Sequence, residues 1–300
     1  MDPLAKLDLV WDTSLCLLRE LHARGHETFI FLPQLIHLES NRVLGMGQRT
    51  KPFGKNRYDA GPHEKFDLAR FDVVFIRKDP PFDSGYLALT YLLEPLARET
   101  LVVNHPRGIR SANEKIFGLS FSRRSPPTIV SAEPDEIRDF QQKIRADLVI
   151  KPLYEKGGRG VFRFRRGTRG RLLERATSKG KNWVVAQKFI PVAKDAGDKR
   201  ILLWRGGILG AFERIPRAGE FRSNLSLGGK FVKCGITGTE KQLVKNLRPV
   251  LLKERLLLVG IDVRAEQLIE VNITSPAGLV ELDLLYGGAT RKIAGYLDSM

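Results

Sequence analysis

Apolar residues recur at Leu15, Leu17, Leu18 and Leu21, a helical spacing that predicts a helix over 14–24, ended by Gly25. Short β-rich runs then predict strands at 27–32, 72–76 and 101–104, with a helix over 87–98 between the last two. Strands alternating with helices predict a parallel α/β layer, whose strand carboxyl ends carry function. From about residue 112 the pattern changes. A helix begins at 113–115, and strands follow at 128–130, 148–151, 161–164, 183–187, 201–204 and 210–215, with a helix at 135–144. Residues 216–230 are polar, basic and glycine-bearing, which predicts a mobile loop, either plainly solvated or closing over an anionic substrate. A helix over 240–255 and a closing helix over 289–300 flank two apolar runs, 256–263 and 267–273, separated by Arg264, Ala265 and Glu266, which read as a hairpin.

That hairpin carries the first chemistry. Residues two apart share a face of a strand, so Ile269, Val271 and Ile273 face one way and Glu270 and Asn272 the other, with Asp262 roughly across from them. Two carboxylates and an amide oxygen suit Mg²⁺, which takes one or two carboxylates and fills its shell with water and phosphates. The same spacing also describes the wet face of an ordinary antiparallel sheet.

Upstream, Arg77-Lys78-Asp79-Pro80-Pro81 leaves the strand at 72–76 as a rigid turn presenting charges. The strand at 148–151 ends in Lys151-Pro152, and Glu155-Lys156-Gly157-Gly158-Arg159-Gly160 joins it to the next strand. A glycine loop between two strands is a hairpin loop rather than a strand–loop–helix phosphate motif. Its glycines serve either a tight turn or the close approach of backbone N–H groups to phosphate oxygens.

Three hundred residues suit two domains, or one with a subdomain. No stretch approaches the roughly 18 apolar residues of a membrane span, and the start, MDPLAKLDLVWD, lacks the apolar core of a secretory signal. A cytoplasmic enzyme is the expectation. Cys16 and Cys234 are far apart and form neither a redox pair nor a metal pattern, and His22 and His26 lack a further ligand. The net charge of +16 raises nucleic acid as a partner. The basic residues are dispersed, however, and no aromatics alternate with them. The charge is read as a solvated surface plus a cleft for a polyanion such as nucleotide phosphates, not nucleic acid.

Together the segments MDP (1–3), RKDPPFD (77–83), NEK (113–115), IKPL (150–153), GG (157–158), GDKR (197–200), RIP (214–216), SNLSLGG (223–229), GIDV (260–263) and IEVNITSP (269–276) resemble bacterial glutathione synthetase, of the ATP-grasp superfamily. The resemblance implies a Rossmann-like pre-ATP-grasp α/β domain over 1–112, an ATP-grasp lid over 113–186 and a C-terminal subdomain, α+β in character, over 187–300. It implies an ATP-dependent carboxylate–amine ligase. ATP, with Mg²⁺ or Mn²⁺, phosphorylates the cysteinyl carboxylate of γ-glutamylcysteine, and glycine displaces phosphate. It assigns ATP to Lys115, Lys151, Gly157, Gly158, Gln187, Lys188, Phe189, Ile190 and Asp198, and the metal to Asp262, Glu270 and Asn272. Arg200, Arg214 and Arg222 become catalytic. Arg77, Asp79, Asn224, Gly228, Gly229 and Ser275 meet substrate. A homo-oligomer is implied as well.

The chain departs from the family pattern at three points. The family has a strand before MDP, so the expectation is that this domain's first strand is missing. Tyr154-Glu155-Lys156 stands where the family tends to have an acid and a further glycine. Val280 stands where it often has an arginine, beside Glu281. Two rival expectations are a sibling ligase acting on another peptide or protein, and a silent nucleotide-binding protein held by an anionic partner.

Overall fold

In the computed structural model, the description covers residues 1–53, 57–121, 124–155, 157–168, 170–193 and 196–300. Lys156 of the glycine loop lies outside the described residues. Helix α1 (Thr13–Ala23) starts where Asp12 accepts from the backbone N–H groups of Ser14 and Leu15, and it buries Leu15, Leu17 and Leu18. Strands β1 (Phe29–Glu39), β2 (Arg42–Phe53) and β3 (Arg57–Asp67) form an antiparallel meander. The parallel layer consists of β4 (Val73–Phe75) and β5 (Leu101–Val103), joined through α2 (Ser84–Leu93).

This corrects one expectation. The strand at 27–32 pairs antiparallel with β2 and takes no part in the parallel layer. Its aromatic face explains the choice: Phe29 and Phe31 meet Phe66 and Phe71 edge to face, which holds β1 to the far end of the meander. Gly47 makes room for this, because a Cβ there would stand 2.4 Å from the Phe31 ring.

After α3 (Pro106–Ser111) and α4 (Phe117–Phe121), a four-stranded sheet of order β6-β9-β7-β8 is built from β6 (Thr128–Ser131), β7 (Leu148–Pro152), β8 (Phe162–Phe164) and β9 (Val184–Lys188). Helices α5 (Pro134–Ile144) and α6 (Arg171–Ala176) cover it, and Ile137, Leu148, Ile150, Phe164 and Leu173 make a core of its own. The glycine loop joins antiparallel β7 and β8, as the hairpin reading expects. A second antiparallel sheet, order β12-β11-β10-β13-β14, contains β10 (Asp198–Trp204), β11 (Gly207–Ile215), β12 (Lys230–Lys233), β13 (Leu258–Arg264) and β14 (Gln267–Asn272). Helix α7 (Gly238–Lys253) opens on a Thr237–Glu240 capping box, and α8 (Leu279–Tyr286) and α9 (Ala289–Leu297) close the chain.

One core joins the parallel layer to the second sheet: Ile76, Tyr86, Val102 and Ile109 pack with Ile201, Leu247, Ile261 and Val271. Buried Asn104 stitches the same seam. Its Nδ2 donates to the carbonyls of Leu258 and Ile273 at 2.7 Å, and its Oδ1 accepts from Leu257 and Leu258 N–H. All of its hydrogen-bonding capacity is thereby used. No described helix is long and apolar enough to cross a membrane.

Candidate active site

The register of the second sheet assembles the site. Arg200 on β10 stands opposite Asp262 on β13, which stands opposite Glu270 on β14, and Asp198 on β10 stands opposite Arg214 on β11. Opposed residues share a face, as do residues two apart along a strand. Asp198, Arg200, Arg214, Asp262, Glu270 and Asn272 therefore form one polar face, although residues 198 and 272 are far apart in sequence.

The charges on that face are paired. Arg200 grips Asp262 with two bonds, Nε to Oδ1 at 2.6 Å and Nη2 to Oδ2 at 3.1 Å, and gives its Nη1 to Ala277 O at 3.0 Å. Arg214 bridges Asp198 Oδ1 at 2.6 Å and Asp262 Oδ2 at 3.0 Å. Burial opposes ionisation of Asp262, yet Arg200 and Arg214 together hold its carboxyl well below the ordinary range. Asn272 Nδ2 leans on Gly260 O at 3.3 Å and Asp262 Oδ2 at 3.4 Å.

Across the cavity stand two buried lysines, Lys151 on β7 and Lys115 just before α4, which donate to uncharged oxygens. Lys151 is 6% exposed and gives Nζ to the amide oxygen of Gln187 at 2.9 Å. Burial pulls its ammonium pKa down, opposed by Glu270. Lys115 Nζ donates to the carbonyls of Glu155 at 2.6 Å and Leu153 at 3.3 Å, with Glu270 Oε1 at 3.7 Å. Gly157 and Gly158 have φ of +62° and +76°, a conformation that suits glycine. Arg222 Nη1 reaches Gly158 O at 2.9 Å, so the glycine loop and the 216–230 loop close on each other. At the hinge after β9, Arg163 lies 4.0 Å over the Phe189 ring, and Arg264 Nε donates to Ile190 O at 3.0 Å.

These groups line one cavity of about 680 Å³, within the usual range for small-molecule sites. Lys115, Lys151, Gly157, Gly158, Gln187, Lys188, Phe189, Ile190, Asp198, Arg200, Arg214, Arg222, Asn224, Asp262, Glu270, Asn272, Ser275 and Asp79 are all in its wall. Arg77, Gly228 and Gly229 are not. Arg77 is buried, with Nε on Ser14 Oγ at 3.0 Å. Gly228 turns the chain at φ +84°, and a Cβ on Gly229 would press on three carbonyl oxygens at 3.1–3.3 Å. Among the wall residues outside the expected set are Glu114, Arg264 and Glu281. Glu114 Oε1 accepts from Ile273 N, Thr274 N and Thr274 Oγ1 at 2.8–2.9 Å, fixing the strand end beyond Asn272. Burial raises its pKa, and Glu270 adds to the rise.

The hard oxygen donors fit Mg²⁺ through Glu270 and Asn272. Asp262 is nearby, but both of its oxygens are engaged by arginines.

A buried lysine and a glycine hairpin on one sheet, with a second buried lysine beside them, facing a carboxylate–arginine ladder on another, define an ATP-grasp ligase. The fold agrees. The chain is similar to the solved macrocyclase MdnC bound with precursor peptide MdnA from Microcystis aeruginosa, at TM-score 0.63, 16% identity and 96% of both chains. It is also similar to the ATP-grasp ligase PsnB complexed with a phosphomimetic variant of its minimal precursor, Mg and ADP, at TM-score 0.62, 16% identity and 96% and 95% of the two chains. The family model for the prokaryotic glutathione synthetase N-terminal domain matches residues 1–110, and that for its ATP-grasp domain matches residues 114–287. The chain is 34% identical to a glutathione synthetase of Brucella melitensis and 39% identical to one of Synechococcus elongatus, each over 96% of this chain and 93% of the relative. The chain belongs to the prokaryotic glutathione synthetase family, and it is an ATP-dependent ligase.

Proposed function

We propose that this enzyme joins the cysteinyl carboxylate of γ-glutamylcysteine to the amine of glycine at the expense of ATP, through an acyl phosphate. One observation carries the reading: two buried lysines, Lys151 bonded to a neutral amide and Lys115 to two carbonyls with Glu270 at 3.7 Å, face a preset arginine–carboxylate ladder across one cavity. Phosphoryl transfer needs charge neutralisation and positioning more than covalent help, and among the described residues no cysteine or histidine lines the cavity. Lys115 and Lys151 take the phosphate oxygens, and the backbone of Gly157 and Gly158 closes over them. The hinge at 187–190 receives the base, with Asp198 beside the nucleotide. Mg²⁺, or Mn²⁺, would be held by Glu270 and Asn272, with Asp262 close by, and would supply charge neutralisation at the phosphates. Arg200 and Arg214 orient the substrate carboxylate and steady the oxyanion of the tetrahedral intermediate. Arg222 and Asn224 shut the intermediate away from water. Asp79 and Ser275 meet the peptide, while Arg77, Gly228 and Gly229 act from behind the wall by fixing the turns that carry it. A cytoplasmic location and assembly as a homo-oligomer belong to the same reading, as do three units at 1–112, 113–186 and 187–300.

The test is product analysis. With ATP, Mg²⁺, γ-glutamylcysteine and glycine, the expected outcome is one glutathione, one ADP and one phosphate per turnover. ADP release that ignores the peptide, or that is equal with unrelated amines, contradicts the assignment.

A further inference from the structure

Glu281 has no role in the account so far. It lies in the first turn of α8 and belongs to the cavity wall. It is 6% exposed, and its buried Oε2 has no hydrogen-bond partner among the described residues. A buried carboxylate oxygen left unpaired is costly and calls for a reason. The charged groups whose field reaches it are Arg200 and Arg214, the two cations that flank the reacting carbonyl in the function proposed above. Burial nevertheless keeps its pKa above the ordinary glutamate value. A carboxylate of raised basicity, buried in the cavity wall with one oxygen unpaired, suits a group that accepts a proton from a bound substrate.

We infer that Glu281 receives the amine substrate: it pairs with the incoming ammonium group and takes the first of its protons, the one whose loss frees the nitrogen lone pair. The assignment rests on the ligase reading above. The nitrogen lone pair forms the new bond to the acyl carbon, the carbon–oxygen bond to phosphate breaks, and phosphate leaves with that electron pair. The first proton of the ammonium, lost before attack, ends on the Glu281 carboxylate, and the second, lost once the carbon–nitrogen bond has formed, leaves on the departing phosphate. The other ammonium in the reaction, on the γ-glutamyl residue, lies at the far end of the peptide from the carboxylate that reacts. The position of Glu281 in the same cavity wall as Arg200 and Arg214 therefore selects the nucleophile.

The experiment separates the two halves of the reaction. ATP carrying heavy oxygen in its β,γ bridge scrambles that label when phosphoryl transfer to γ-glutamylcysteine is reversible, with no amine present. Amine transfer is then measured with glycine and with hydroxylamine, which is already neutral at pH 7. For Glu281→Gln the expected result is label scrambling within a few-fold of the parent and glycine-dependent turnover reduced about a hundredfold. Hydroxylamine-dependent turnover should fall only a few-fold, and Glu281→Asp should regain part of the glycine reaction. Equal losses with glycine and hydroxylamine would overturn the inference, as would a loss of scrambling with a raised KM for the peptide, which would put Glu281 on the donor. Absence of scrambling and of product in the parent enzyme would instead defeat the ligase reading itself.

Discussion

The two walls of the cavity bury charge in opposite ways. On the β10–β14 wall every charge of the ladder has a partner of opposite sign: Arg200 on Asp262, and Arg214 on Asp198 and Asp262. On the opposite wall Lys151 is as deeply buried, yet it donates to a neutral amide, and Lys115 donates to carbonyls with only a long ion pair to Glu270 at 3.7 Å. A compensated buried ion pair is a scaffold, since removing one partner strands the other. A buried cation with a neutral partner is a binding group held in readiness, and such groups mark functional sites. The lid therefore carries affinity for phosphate, while the ladder carries geometry.

The comparison can be broken most forcefully where the walls meet. Glu270 faces Lys115 across the gap and is the carboxylate most open to a metal. Glu270→Gln should lower turnover at limiting Mg²⁺ about a thousandfold, several kcal/mol of transition-state stabilisation, with unchanged circular dichroism. Near-normal activity at limiting Mg²⁺ would remove it from the metal site. On the ladder, Arg214→Met leaves Asp198 and Asp262 short of a cation. Chemical denaturation should register a loss of ~3–5 kcal/mol; a loss below ~1 kcal/mol would mean the ladder is not a scaffold.

A pH measurement sharpens the same point. The folded Asp262 carboxyl sits well below its unfolded value of about 4. Its contribution is thus complete above that value and is lost as pH falls toward the folded one. Asp262→Asn should flatten the decline of stability below about pH 4. An equally steep decline in the variant would assign it to other carboxylates. The smallest effect concerns the closure of the two loops. A Cβ on Gly158 would come within 2.8 Å of Asn224 Oδ1, at a φ of +76°. Gly158→Ala should cost about 1 kcal/mol locally and raise the KM for ATP a few-fold. An unchanged KM would show that the loops need not dock to hold nucleotide.

The legible parts of the molecule were those with strong local pattern. The 256–273 hairpin, the lysine at the end of β7 and the glycine hairpin all declare themselves within a few residues. The alternation that puts Glu270 and Asn272 on one face survives unchanged in the β13–β14 register. The meander was not legible beyond β1, because β2 reads RVLGMGQRTKPF, with glycines and charges where a strand is expected to show alternation. Its glycines answer to Phe31, a partner outside the strand. Glu114, Arg264 and Glu281 escaped for a related reason. Each acts on something distant in sequence: Glu114 on Thr274, Arg264 on Ile190 and Glu281 on the cavity wall. A lone charged residue carries no local sign of such a partner. The family motif NEK pointed at Lys115 and passed over the acid beside it.

The contrast between the walls is tested most directly by melting the parent enzyme and Lys151→Met with and without Mg²⁺–ATP. Removing a buried ammonium with a neutral partner should leave the free variant at least as stable as the parent. Nucleotide at about a hundred times its Kd should stabilise the parent by ~2.7 kcal/mol, seen as a rise in Tm of several degrees, and most of that rise should vanish in the variant. A free variant that melts well below the parent, yet is still raised by Mg²⁺–ATP to the same extent, would contradict the account: Lys151 would then be scaffold, not phosphate ligand.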